Sequence, residues 1–209
     1  MRVPAGALGL VLVTDGRGDG ARILRIARAA IAGGVRAVQL REPGWTAHQL
    51  GALCGVLRGE LEAVNGVLLV NDRADIAAAG LCHGVHLGHR SLKPAMVRGF
   101  LPDAVVGYSA HDPGELRVAV EAGCDYASLS PVLATSCKPG AVAIGVEQAG
   151  EWTAECAVPV VWLGGIDLQT VGEVVRGAKG VPAGIAVRSA LCEATDPEAV
   201  ARELLAAGA

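Results

Sequence analysis

The chain of 209 residues is 52% hydrophobic and carries a formal net charge of −3 at pH 7. So small a charge, with no basic run and no cluster of stacking aromatics, excludes a nucleic-acid or membrane partner and leaves a small molecule as the expected ligand. Six cysteines without a CxxC pair or metal-ligand spacing, no signal-peptide start, and no apolar run near the roughly 20 residues that span a bilayer predict a reduced, cytoplasmic chain.

Residues 8–13 (LGLVLV) form a short apolar run that meets Thr14, Asp15 and Gly16, and residues 19–33 then carry Ile23, Ile26, Ala27, Ala30 and Ile31 at helical spacing. This strand, polar loop and helix recur along the chain. The spacing predicts strands at 35–40, 67–70, 84–87, 105–108, 126–130, 158–163 and 183–187. Each is followed by a helix, at 46–63, 74–79, 93–100, 113–122, 147–153, 168–176 and 189–207. Eight such units in 209 residues fit a closed (β/α)8 TIM barrel at its lower size limit, with a doubly wound open sheet as the competing architecture. No linker, charge block or low-complexity segment interrupts them, so residues 1–209 are expected to form one domain. A homo-oligomer is compatible with such a chain, and nothing in the sequence decides for or against it.

In a parallel barrel the ligand site lies where strands exit. The predicted exits are polar: Gln39, Arg41 and Glu42; Asn71 and Asp72; Gly88 to Ser91; Ser109 and His111; Ser130 to Lys138; Gly164 and Gly165; Arg188 and Ser189. Gly164 and Gly165 with the Arg188-Ser189 helix start have the form of a barrel phosphate site, although a glycine pair also serves as a plain turn. Arg41 and Lys138 suit a carboxylate or a second phosphate, or are a solvated pair. Asn71 and Asp72 either approach Mg²⁺ or cap the short helix after them. His111 is the candidate proton carrier, with helix capping as its other reading, because its ordinary pKa of about 6.5 lets it act either way near neutrality. His86, within a strand, reads as a satisfied core histidine or one that backs a site residue. Cys137, between Ser136 and Lys138, is a further nucleophile candidate, with no lowered pKa legible in the sequence. Residues 132–145 make a long loop, with Gly140 and Gly145 as hinge positions for a lid.

Taken together, Gln39-Leu-Arg41, Val70-Asn-Asp-Arg-Ala-Asp-Ile76, Gly84-Val-His-Leu-Gly88, Gly107-Tyr-Ser-Ala-His111, Asp125-Tyr126, Thr135-Ser-Cys-Lys138, Leu163-Gly-Gly-Ile166 and Ile185-Ala-Val-Arg-Ser189 resemble the thiamine phosphate synthase superfamily over nearly the whole chain. That resemblance implies a (β/α)8 barrel. It also implies one of two activities: a synthase joining a pyrimidine pyrophosphate to a thiazole phosphate with Mg²⁺, or a thiazole tautomerase that aromatises a carboxylated thiazole phosphate by moving a proton. The synthase pattern has Lys where Pro43 stands and acidic residues near Arg90 and Ser91, while Thr135-Ser-Cys-Lys138 is similar to the tautomerase branch. The expectation is therefore an isomerase, a thiazole tautomerase in thiamine biosynthesis. Its phosphate would lie on Gly164, Gly165, Arg188 and Ser189, and its substrate would be held by Gln39, Arg41, Asn71, Ser109, Thr135, Ser136 and Lys138. His111 would shuttle the proton, and no cofactor or metal would be needed. The alternatives are the synthase, with Asp72 on Mg²⁺, and a non-catalytic binding protein for thiazole or thiamine phosphate.

Overall fold

Eight short runs dominated by Val, Leu and Ala become eight parallel strands: β1 (Leu10–Val13), β2 (Ala37–Leu40), β3 (Val67–Asn71), β4 (Gly84–Leu87), β5 (Val105–Ala110), β6 (Tyr126–Leu129), β7 (Val160–Leu163) and β8 (Gly184–Val187). They pair in chain order, and β8 returns to β1 with Leu10 opposite Ile185, so the sheet closes on itself as a (β/α)8 barrel. The computed structural model describes residues 3–135, 140–176 and 180–208. Each strand leads to helix on the outer ring: α1 (Gly20–Ala32), α2 (Ala47–Glu62), α3 (Ala74–Ala78), α4 (Pro94–Phe100), α5 (Pro113–Glu121), α6 (Val146–Ala154), α7 (Val171–Arg176), and then α8 (Ser189–Cys192) and α9 (Pro197–Ala206) after β8. Among the described residues no helix is long and apolar enough to cross a membrane, and Cys54, Cys82, Cys124, Cys156 and Cys192 are free.

Local signals account for the helix starts. Thr46 and Gln49 form a reciprocal capping box on α2. Asp112 caps α5 ahead of Pro113, and Asp196 caps α9 ahead of Pro197. The last of these corrects the single helix predicted over 189–207. Pro197 disfavours helical backbone at Asp196, which is held at φ −128° and ψ 87°, so the chain ends α8 and starts again. The first strand also begins later than predicted, at Leu10. Ala7 and Leu8 are instead buried among the residues that fill the barrel interior.

Period-2 alternation divides the strands between two cores. Outward side chains such as Leu12, Leu40, Val70, Leu87 and Trp162 pack under the helices. Inward ones, among them Val11, Ala37, Leu69, Val105, Tyr126 and Val161, fill the barrel. By the same alternation the inward positions nearer the strand exits carry polar groups: Gln39, Asn71, His86 and Ser109. Two glycines make room for this interior. A Cβ on Gly84 would lie 1.9 Å from the Val105 carbonyl oxygen, and one on Gly107 would lie 2.3 Å from the Tyr126 ring. Because the Gly84 contact is with backbone, no rotamer change relieves it. Gly84→Ala is expected to lower stability by about 3 kcal/mol, the upper part of the usual range for overpacking. Urea denaturation measures this directly, and a midpoint equal to the parent's would show that β4 and β5 move apart freely.

Candidate active site at the strand exits

A cavity of about 830 Å³ opens at the C-terminal ends of the strands. Gln39, Arg41, Asn71, Ser109, His111, Thr135, Gly164, Gly165, Arg188 and Ser189 all line it, so the structure brings together the predicted residues from β2, β3, β5, β6, β7 and β8. Ser136, Cys137 and Lys138 lie outside the described residues, as does the middle of the 132–145 loop. Asp72 is exposed beside Asn71. A smaller cavity of about 320 Å³ opens between residues of α2, the end of α3 and the α4–β5 connection, away from every strand exit.

On the β2–β4 side the polar groups hold one another in place. Gln39 Nε2 donates to Asn71 Oδ1 at 3.1 Å, which leaves the Asn71 amide donors to the cavity. The Arg41 backbone N–H donates to Thr14 Oγ1 at 2.8 Å. Glu42, expected as part of a polar exit, is buried and turns back toward the β1 loop, where its carboxylate accepts from Gly16 N at 3.1 Å and Gly18 N at 2.9 Å. The capping alternative for Asn71 and Asp72 is not realised, because α3 is preceded by Arg73 and has no side-chain cap. Asp72 instead sits in the left-handed region at φ 66°, a conformation that Asp tolerates better than most residues. Its carboxylate has no hydrogen-bond or ion-pair partner among the described residues.

On the β7–β8 side, Gly164 and Gly165 have φ of 104° and 68°. A Cβ at these positions would meet Pro131 Cα at 2.8 Å and the Ala134 carbonyl oxygen at 2.4 Å. Glycine is therefore required both for the turn and for the close approach of the β6 loop.

The electrostatics of the cavity follow from which charges are already engaged. Asp167 accepts from Gln169 N and from both Thr170 N and Oγ1, and Glu193 pairs with Arg17 at 2.8 Å. Arg41, Arg90 and Arg188 also line the cavity, and their guanidinium groups make no hydrogen bond or ion pair with any described residue. Unpartnered cations facing a concave, partly desolvated space favour anions. Arg90 was not among the expected ligand-binding residues. It was read only as a departure from a metal-ligating pattern, and the signal available was its place two residues beyond the Gly88 exit.

His111 faces the cavity with its Nδ1 2.8 Å from Glu115 Oε2, and the same oxygen accepts the His111 backbone N–H at 2.7 Å. Asp112, not His111, supplies the side-chain cap of α5. His86 is buried and satisfied, with Nδ1 2.7 Å from the Tyr126 hydroxyl and Nε2 2.8 Å from Ser109 Oγ, and through the latter it also backs a residue that lines the cavity. Burial pushes its pKa down to about 4.

Comparison with known proteins adds to this geometry. The family model described as Thiamine monophosphate synthase matches residues 10–191. The chain is 41% identical to the thiamine-phosphate synthase of Laribacter hongkongensis over 186 residues, 88% of this chain and 86% of that one. It is 39% identical to that of Xanthobacter autotrophicus over 204 residues, 96% of this chain and 95% of that one. The thiamine phosphate pyrophosphorylase of Pyrococcus furiosus superposes with a TM-score of 0.85 at 27% identity, covering 97% of this chain and 96% of that one. These relatives overturn the expectation of an isomerase: all three carry the name of a transferase, and none that of a tautomerase. Two of the departures from the synthase pattern are built into the β4 exit: Arg90 lines the cavity as a cation, and Ser91 Oγ accepts from Gly88 N at 2.9 Å.

His86 also makes a pH prediction. Its folded pKa of about 4 lies below the ordinary 6.5, so the unfolded chain takes up the proton first as pH falls. The stability from keeping His86 neutral is complete above about pH 6.5 and is lost toward pH 4, amounting to about 3 kcal/mol. Denaturation midpoints from pH 7 to 4 should fall less steeply in His86→Gln than in the parent, and equal slopes would remove His86 as a source of acid sensitivity.

Proposed function

The chain belongs to the thiamine monophosphate synthase family, and from that premise we propose that it is a transferase joining a pyrimidine that bears a pyrophosphate to a phosphorylated thiazole. One observation carries the reading. A single cavity holds cations without partners among the described residues at different strand exits, Arg41 and Arg90 at the β2 and β4 exits and Arg188 at the β8 exit with Gly164, Gly165 and Ser189. A reaction between two phosphorylated substrates needs two anion sites with the reacting atoms held between them. We place the thiazole phosphate on the β7–β8 group and the pyrophosphate on the β2–β4 group. Thr135 lines the cavity beyond β6, and Ser136 and Lys138 follow it in the sequence.

The chemistry assigns the roles. The bond from the pyrimidine methylene carbon to the pyrophosphate oxygen breaks, that carbon bonds to the thiazole nitrogen through the nitrogen lone pair, and pyrophosphate leaves with the electrons of the broken bond. No proton moves, so His111 is not asked for one, and with Glu115 it orients the cavity wall. Negative charge builds on the leaving group. Guanidinium groups already aimed at it stabilise that charge without reorganising.

This activity implies Mg²⁺. The ion takes one or two carboxylates and completes its shell with water and substrate phosphate oxygens, so the absence of a cluster of three His, Cys, Asp or Glu among the described residues does not oppose it. Asp72, an unpartnered carboxylate held in left-handed backbone at a strand exit, fits the single-carboxylate role. Bound there, Mg²⁺ would neutralise charge on the pyrophosphate.

Purified protein given both substrates and Mg²⁺ should form thiamine phosphate, followed by chromatography. No product at saturating substrate would overturn the reading. Arg188→Ala is expected to raise KM for the thiazole phosphate about 10- to 100-fold, the effect of losing one charged hydrogen bond, and to leave KM for the pyrimidine substrate nearly unchanged. Arg41→Ala and Arg90→Ala should do the reverse. Asp72→Asn should raise the Mg²⁺ concentration needed for half-maximal rate.

A further inference from the structure

We infer that Tyr126 and His86 form a buried relay that fixes the Ser109 hydroxyl as a hydrogen-bond donor facing the cavity, which makes both of them positioning residues of the site. The inference rests on the transferase reading only for the identity of the substrate that meets Ser109. The relay itself runs from the middle of the barrel to the mouth. Tyr126 is 2% exposed and does not reach the cavity, while His86, 3% exposed, and Ser109 both line it. The three are linked by contacts of 2.7 Å and 2.8 Å through the two nitrogens of one imidazole.

The fold gives up a side chain for this arrangement. Gly107 stands opposite both His86 on β4 and Tyr126 on β6. A Cβ there would lie 2.6 Å from the Tyr126 hydroxyl and 2.3 Å from its ring. Any other residue at position 107 would collide with the phenol. An apolar layer would fill the same space without three polar groups to satisfy.

The direction of the hydrogen bonds follows from counting donors and acceptors. Burial keeps His86 neutral at ordinary pH and raises the Tyr126 pKa, so one ring nitrogen carries a proton and the phenol keeps its own. The Tyr126 hydroxyl has no hydrogen bond to any other described residue. Were it to accept from Nδ1, its O–H would be buried without an acceptor, a costly state. Ser128, also buried, has Nε2 as its partner at 3.3 Å, but the 2.7 Å contact of the phenol is the closer claim on the ring's single acceptor, so Tyr126 donates to Nδ1 and the ring proton sits on Nε2. Nε2–H then donates to Ser109 Oγ, with Ser128 Oγ as the longer contact at 3.3 Å. Having accepted there, Ser109 keeps its own O–H for the cavity. It offers a donor, suited to an anionic oxygen or an unprotonated ring nitrogen. β5 adjoins β4, the strand that leads to Arg90, so the partner is the pyrimidine pyrophosphate.

Three measurements test this. Long-range ¹H–¹⁵N spectra of the parent should show His86 with its proton on Nε2, and a proton on Nδ1 would overturn the relay without any variant being made. In Tyr126→Phe, which keeps the ring, kcat/KM for the pyrimidine pyrophosphate should fall about 5- to 20-fold with KM for the thiazole phosphate unchanged. Ser109→Ala should lose at least as much, and the double variant should be no worse than Ser109→Ala alone. Losses that multiply would show that Tyr126 acts independently of Ser109. Calorimetry with inorganic pyrophosphate separates the two readings. If no thiamine phosphate forms, the transferase assignment fails, while weaker pyrophosphate binding in both single variants still supports the relay and undiminished binding in both overturns it.

Discussion

Closure of β8 onto β1 is the constraint on which the rest depends. It leaves no sheet edge, and it forces every strand to present alternate residues to an interior that must be filled. The lower interior is apolar and is stopped from beneath by Ala7 and Leu8. The upper interior cannot be, because it is also the floor of the cavity. Gln39, Asn71, His86 and Ser109 occupy it, and each has a hydrogen-bond partner supplied by a neighbouring strand. Close packing on β5 then leaves space for Tyr126 beside His86 only because Gly107 contributes no side chain of its own.

That floor explains how cations can stand unpaired at the mouth. Apart from Asp72, the carboxylates close by are committed elsewhere: Glu42 to the β1 loop, Asp167 to the start of α7, Glu193 to Arg17. A carboxylate satisfied by backbone N–H groups is poorly available to a guanidinium across a cavity. The positive field is thus produced as much by occupying the acids as by placing the arginines.

Much of the architecture was legible in the sequence, because apolar runs of four to six residues alternating with helical periodicity admit few arrangements. The strand exits were legible for the same reason: once eight units are counted, the polar residue after each run is at the mouth. What was not legible depended on register and on local competition. The split between α8 and α9 turned on Pro197, which disfavours helical backbone at Asp196 and so keeps the two helices from joining. The roles of Tyr126 and Gly107 depended on β5 and β6 pairing so that these two residues meet, which no pattern within one segment reveals. Glu42 read as a group at the mouth but faces the β1 loop, since a residue beyond a strand end is free of the strand's alternation.

Arg90 and Ser91 were weighed as missing metal ligands, on the logic that a cation repels Mg²⁺. But Mg²⁺ in such a reaction serves the charge on a leaving pyrophosphate, and a guanidinium serves the same charge directly, through a planar fork matched to phosphate oxygens. Repulsion between Arg90 and a metal matters only while no polyanion lies between them. Mg²⁺ held at Asp72 as proposed would act on the same polyanion as Arg90, and each would lower the cost of the other. A base in place of an acid at the β4 exit would then change how the negative charge is shared between protein and metal. It does not by itself change which bond breaks.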